Sequence, residues 1–324
     1  MNTEAMALIK ALGTGTSPGS LGLKIRDDGY VDMTKIRIPL AKAASRTELT
    51  VRPEGRQRPR QIGAIEFVPD RTIFSGVRLE RVDFSQASLE NAVWEAVHFE
   101  RVQFDSAGMR TAVFRSGLMK STSFRRANLR DTHWGSREKT GPEIVECDFS
   151  DADLRGATFG FPLFRGCRFS NTKLDGVDLF GARFEDCVFE GRLFEVLFHG
   201  KNYFPGNSEV EVLRNTMKNV DFSNAELRWV EFDLGIDLSS CKFPSEGYVR
   251  IAHPRRALTR ALQEIKSEWT GDPLRRATFF LENILKRYPV EQPFTILRPQ
   301  DLVESPMGPD IGAKLVAAIQ RASE

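Results

Sequence analysis

The sequence predicts a mainly β chain, with a solenoid of short stacked strands in its middle, a small β-containing region before it and a helical cap after it. Three observations predict this. A hydrophobic residue recurs at every fifth position but one from Phe74 to Phe194. Three of the four cysteines, Cys147, Cys167 and Cys187, are evenly spaced, each four periods after the last. After Pro254 the apolar spacing becomes helical.

The five-residue period is the strongest of these. It begins Phe74, Leu79, Phe84, Leu89, Trp94 and Phe99, and of the 25 positions in phase up to Phe194 only Lys139 is not hydrophobic. Two residues before most centres stands a small or β-branched residue, as at Val77, Ala87, Ala107 and Ala152. Neither a 3.6-residue helix nor a two-residue strand alternation keeps such positions on one face. A short fixed period instead implies repeats that bury themselves only by stacking. The excess of Phe, 24 copies against four Tyr and four Trp, fits one recurring kind of buried slot.

Ala127-Asn128-Leu129-Arg130, Ala152-Asp153-Leu154-Arg155 and Ala225-Glu226-Leu227-Arg228 resemble the pentapeptide repeat family, whose signature is A(D/N)LXX. The resemblance implies a right-handed quadrilateral β-helix, with one pentapeptide per side and four pentapeptides to the coil. Twenty-five repeats then make about six coils, roughly 30 Å long at the usual strand spacing. Centres fill the axis, with the small residues between them, and the other three positions point outward.

That register tests two features that look like sites. The three spaced cysteines, and Cys241 before Phe243, all sit two residues before a central Phe, where a small apolar side chain suits the slot. Stacked side chains one coil apart lack disulfide geometry, so a structural role is expected and no metal or cofactor. The position after each centre runs acidic and then basic, Glu90, Glu95, Glu100 and Asp105 before Arg110, Arg115, Lys120, Arg125 and Arg130. Residues one coil apart stack as cross-strand neighbours do, which sets Glu90 on Arg110, Glu95 on Arg115, Glu100 on Lys120 and Asp105 on Arg125. The bands are therefore expected to pair within the rod. Arg126 and Arg130 border an irregular coil and are the least committed.

Two segments break the repeat, at about 135–146 and 199–219. The first is polar and turn-rich and is expected to loop out. The second carries Ser208-Glu209-Val210-Glu211, a capping box, and is expected to hold a short helix to about Lys218. The repeat returns in shifted phase at Phe222, Leu227 and Phe232. Loops on a rigid scaffold are where binding concentrates, so Arg126, Arg130, Arg137, Lys139, Glu209 and Arg214 are the candidate partner-binding residues. The insertions could equally only brace the final coils.

The flanks differ from the rod, which suggests boundaries at 1–70, 71–245 and 246–324. In the first region an Asp28-Gly29 turn suggests a hairpin, with short strands near Glu48–Val51 and Ile62–Val68. Between those strands lies the basic, proline-containing stretch Arg52–Arg60. In the last region Leu258, Leu262, Ile265 and Trp269 predict a helix from Pro254, a second opens at Asp272-Pro273 and runs to about Tyr288, and a third spans Ile311–Arg321. Solenoid ends need caps, and these helices supply one. The family resemblance also implies a dimer interface in a C-terminal element, which points to a homodimer through 254–324.

Function is read mostly by exclusion. Net charge is +2, and the regional balance is mild: +4 over 1–71, −2 over 72–196 and zero over 197–324. No stretch approaches a membrane span and the N-terminus lacks a signal-peptide core, so a cytoplasmic location is expected. The four His, at 98, 133, 199 and 253, are scattered, without metal-ligand spacing. No phosphate loop or nucleophile elbow occurs. The expected class is a non-catalytic protein-binding scaffold. One alternative follows from the resemblance: some family members bind DNA gyrase or topoisomerase IV as DNA mimics and confer drug resistance, though that needs a strongly negative rod. A second is nucleic-acid binding through the N-terminal basic arm.

Overall fold

The computed structural model describes residues 3–38, 71–135, 141–201 and 214–324, together with the backbone of strands Ser45–Val51 and Arg60–Phe67. The five-residue period folds into a four-sided rod. Each centre points inward, and the residue two places later turns the corner, often with positive φ, as at Arg81 (51°), Asn91 (62°) and Arg126 (55°). Bonds from one turn to the next are parallel, with partners four pentapeptides apart, as in Leu79↔Phe99 and Phe164↔Phe184.

We number the faces by their first centres: Phe74, Leu79, Phe84 and Leu89 lead the first to fourth. The second face is a seven-stranded sheet whose terminal strands are Arg78–Glu80 and Met217–Lys218. The third face carries a continuous phenylalanine ladder through Phe84, Phe104, Phe124, Phe149, Phe169, Phe189, Phe222 and Phe243. Successive rings stack at 4.6–5.5 Å and at 16° or less. The fourth face is aliphatic, built from Leu89, Met109, Leu129, Leu154, Leu174, Leu193 and Leu227, all at most 3% exposed. Side chains two places before the centres, including Val77, Ala107 and Ala152, close the gaps between layers. The resulting core is the interdigitated packing expected of an ordered interior.

Lys139, the exceptional centre, is explained by the register. Leu118 pairs with Glu143 and His133 with Thr158, so this turn is five pentapeptides long instead of four. One whole pentapeptide, 136–140, is extra, and the phase survives because the insertion equals one period. Phe194 is a correction. Its ring lies outside the rod, with the Arg192 and Arg228 guanidiniums 5.3 and 5.7 Å from its centroid. Leu193 takes the buried slot at 1% exposure, between Leu174 and Leu227 of the aliphatic column. The chain runs straight from Val188 to Phe194 as one strand, and the turn is a single residue short, Asp178 facing Leu197 where the period would place Phe198.

The second interruption makes the next turn long, with Phe184 beside Met217 and Phe198 beside Phe232. A helix reaching Lys218 is not formed. Met217–Lys218 is a strand, because Met217 fills the slot above Phe184 and is 5% exposed. The shifted-phase residues Phe222, Leu227 and Phe232 are all buried centres.

The N-terminal region plugs the start of the rod. Helix α1 (Thr3–Gly13), which the sequence reading missed, buries Ala5 and Ile9, and Ile9 joins the rod core. The Asp28-Gly29 turn forms, with Arg26 N–H donating to Tyr30 C=O and Ile25 bridging Val31 antiparallel. The chain then adds to the first coil: Val31–Asp32 pairs in parallel with Val82–Asp83, and Arg37 bridges Ser88. Ser45–Val51 and Arg60–Phe67 form an antiparallel hairpin. Most of Arg52–Arg60 lies outside the described residues.

The three expected C-terminal helices form, α2 (Pro254–Glu268), α3 (Gly271–Leu285) and α5 (Pro309–Ser323), and a short α4 (Pro299–Val303) that the sequence reading did not predict lies between the last two. Their apolar faces are spent mainly on one another. Leu258, Ile265, Leu281, Leu315 and Ile319 make a core separate from the rod's. The rod end is met instead by Phe294, in a strand (Phe294–Leu297) paired antiparallel with Val249–Ala252. Among the described residues of 254–324, Phe279 (53% exposed) and Val290 (78%) are the large apolar side chains that stay outside. No helix of the described residues is long and apolar enough to cross a membrane.

Candidate interaction surface

The outer rod is a lattice of ion pairs between turns. Arg115 lies 3.1 Å from Glu95 and Arg165 3.0 Å from Glu185, each pair one turn apart as the register requires. Other pairs reach one or two positions further, since long side chains lean along the strand: Arg101 to Glu80, Arg110 to Asp131, Arg168 to Glu190. Glu100 faces Lys120 across the sheet, yet its carboxylate takes Arg101 at 3.1 Å. Asp105 accepts the Arg125 backbone N–H, while the Arg125 guanidinium goes to Asp148. Each exposed pair adds only about 0–1 kcal/mol. Within the two bands only Glu95 and Arg115 pair with each other: the expected Glu90–Arg110 pair does not form, and Arg110, Arg125 and Arg130 turn instead to Asp131, Asp148 and Asp153.

Arg126 and Arg130 are not left over by the irregular coil. Arg130 approaches Asp153 at 3.8 Å, since the lengthened turn brings Asn128 beside Asp153. Arg126 is a corner residue, exposed, with Nε 3.4 Å from Ser106 Oγ. Arg214 is exposed beside its antiparallel bridge partner Lys201, at the base of the second insertion. Arg137, Lys139 and Glu209 lie outside the described residues, but their flanks do not. The first insertion departs between Gly135, on the first face, and Ile144, on the second; the second departs between Lys201 and Met217, again from first to second. Both therefore leave the rod at one edge. Trp134, Phe159, Leu179 and Phe198 count three turns between them, about 14 Å at the usual strand spacing. Arg126 and Arg130 stand on the opposite side, at and beyond the corner between third and fourth faces. The six candidates are thus not brought together.

The sequence reading also missed a buried cluster at the base of the second insertion. His199 Nε2 is 3.0 Å from Asp178 and its Nδ1 bonds Asp233, with the imidazole 9% exposed. Asn215 donates from Nδ2 to the His199 carbonyl at 2.7 Å, closing the insertion's neck. Burial alone would lower the imidazole pKa; the Asp233 and Asp178 charges outweigh it and hold the group at about 10. A cation fixed between two carboxylates is a clamp, and at neutral pH it has no lone pair to act as a base. The only sequence signal was that Asp178 and His199 fall in neighbouring turns, visible once the one-residue shortening is known.

The cysteine column behaves as small core residues would. Cys147, Cys167 and Cys187 donate to the Met119, Ile144 and Phe164 carbonyls of the turn below, and burial pushes the Cys167 and Cys187 thiols far up. Cys241, less buried, donates to Met217 C=O and is pushed up to about 11 by the same effect.

A family model agrees with this architecture: residues 78–115 and 147–191 match the model described as Pentapeptide repeats, in eight copies. No curated protein matches the chain. Among solved structures, a trypsin-treated form of QnrB1, described as a plasmid-mediated fluoroquinolone resistance protein, is 22% identical over 54% of this chain and 86% of that one, with a TM-score of 0.26. Rfr23, a pentapeptide repeat protein from the cyanobacterium Cyanothece 51142, is 17% identical over 39% and 72%, with a TM-score of 0.21. HetL, described as involved in heterocyst differentiation regulation in the cyanobacterium Nostoc sp. strain PCC 7120, is 15% identical over 54% and 90%, with a TM-score of 0.18.

Proposed function

Since this chain belongs to the pentapeptide repeat family, we propose that it is a non-catalytic protein-binding scaffold whose binding elements are the two insertions on one edge of the rod. The observation that carries this reading is the shared departure edge. Two interruptions of different length leave the same corner, three turns apart, on a core rigid enough to hold their bases in register. Each base is itself anchored, the first between paired strands and the second by the Asp178–His199–Asp233 clamp. Anchored bases fix where the two segments leave the rod and how far apart they start.

The pairing of the outer charges weighs against the other two readings. A DNA mimic needs an uncompensated acidic surface, and a nucleic-acid binder an uncompensated basic one. Here Glu95, Glu185 and Glu190 face Arg115, Arg165 and Arg168. Affinity purification with quantitative mass spectrometry tests the scaffold. Excision of 136–140, which restores a turn of four pentapeptides, and replacement of 202–213 by a short linker should each deplete the same protein, while Arg126→Ala should retain it. Full retention by the double variant would refute the proposal.

A further inference from the structure

The first coil already accepts added strands on two of its four faces. On the third face Asp83 C=O receives the Met33 N–H, and on the fourth Ser88 exchanges bonds with Ile36 and Ile38, all from the chain's own cap. Arg78 holds the equivalent place on the second face, one residue before its centre Leu79. Backbone groups alternate in direction along a strand. Val77 C=O and Arg81 N–H point up to the second coil, where they meet His98 and Glu100. Arg78 and Glu80 therefore aim their N–H and C=O groups the other way. Their strand is the last of the seven-stranded sheet, and no strand of the described residues pairs with its outer side.

A cavity of about 470 Å3 opens beside that edge. Its lining is mixed, with Leu12, Val31, Leu79 and Val82 beside the polar His98, Glu80 and Glu100 and the segment Thr16–Pro18. Its two acids are engaged, since Arg101 binds Glu80 at 3.0 Å and Glu100 at 3.1 Å. Arg78 is exposed.

We propose that the strand Arg78–Glu80 is a docking edge for an extended segment of another protein, which adds in parallel as an eighth strand. The chain's own added strand indicates the occupant. Val31-Asp32-Met33 sits on the third face with Asp32 opposite Asp83 and Met33 below the centre Phe84. Transferred to the second face, the acidic residue falls opposite Arg78 and the apolar one enters the cavity below Leu79. The fitting partner is thus an aliphatic–acidic–apolar run in extended form, the strand-addition mode in which backbone bonds supply affinity and one side-chain pocket supplies selectivity. This site lies at the start of the rod and stands independently of the insertions.

The test uses the full chain and a capped synthetic peptide, Gly-Tyr-Val-Asp-Met-Thr-Lys, the sequence of residues 29–35. Saturating peptide should slow hydrogen exchange at the Arg78 and Glu80 amides at least tenfold. N-methylation of the peptide's Met amide, or Thr16→Trp in the exposed cavity wall, should weaken binding at least tenfold. Arg78→Glu should weaken it likewise and be rescued by a peptide carrying Lys in place of Asp. The proposal is overturned if those amides are already protected without peptide, if millimolar peptide leaves them unchanged, or if N-methylation or the charge swap makes no difference.

Discussion

The phenylalanine ladder makes a prediction whose size depends on position along the rod. Phe124 stacks on Phe104 at 5.2 Å and on Phe149 at 5.0 Å, and meets Phe114 and Trp134 edge-on. It has no exposure. Phe243 ends the ladder: it stacks on one ring, Phe222 at 5.5 Å, meets Phe232 and Phe294 edge-on, and is only partly buried. Truncating a buried Phe to Ala costs about 3–5 kcal/mol, and aromatic pairs add about 0.5–1.5 kcal/mol each beyond area. Phe124→Ala should therefore sit at the top of that range, about 4–5 kcal/mol. Phe243→Ala, partly solvated and with one stacking partner, should cost about 2 kcal/mol. Guanidinium unfolding followed by far-UV circular dichroism gives both values, provided the m-values match wild type. Equal costs, or a Phe124→Ala cost below about 1 kcal/mol, would refute the idea that stacked layers hold the rod.

Two other predictions concern buried polar groups. Trp134 Nε1 donates to Thr132 Oγ1 at 2.9 Å, whereas Trp94, whose equivalent neighbour is Ala92, finds no acceptor for Nε1 among the described residues. An unpartnered buried donor costs about 1–3 kcal/mol, so Trp94→Phe should be near neutral in thermal unfolding and Trp134→Phe clearly destabilising; the reverse order would be wrong for this account. The His199 clamp predicts a pH dependence. Its folded pKa of about 10 lies above the unfolded value of about 6.5, so its contribution is complete below pH 6.5 and is lost as pH rises toward 10. His199→Gln should remove that dependence and cost about 3–5 kcal/mol at neutral pH, because two buried carboxylates lose their cation; a chemical-denaturation series from pH 6 to 10 checks both.

What the sequence showed and what it hid divide along physical lines. Centres such as Phe84 and Phe104 were legible because stacking forces one slot type to recur, and the inference survived even Lys139, since its insertion equals one period. Phe194 misled because periodicity cannot see a one-residue shortening when Leu193, also apolar, can take the slot. Lys218 misled for a related reason: the capping-box signal is local, and the demand for Met217 above Phe184 is not. Helix α1 went unread although Ala5 and Ile9 stand at helical spacing, because the open rod end that buries Ile9 is visible only in the fold. Of the candidate binding residues, Arg126 was singled out for its charge, and its place proves to be a left-handed corner. The shared edge of the two insertions could not be read at all, because it depends on counting faces, which needs the register of every turn between them.

The central claim is that one edge of this rod presents the binding segments, and photo-crosslinking tests it most directly. A photoreactive residue would replace Lys139, Glu209 or, on the opposite side, Arg126 in the full chain, with irradiation in the native extract and identification of the adducts. The account predicts one shared protein adduct from positions 139 and 209 and none of it from 126. Adducts from 126 equal to those from both insertions, or different partners at 139 and 209, would contradict it.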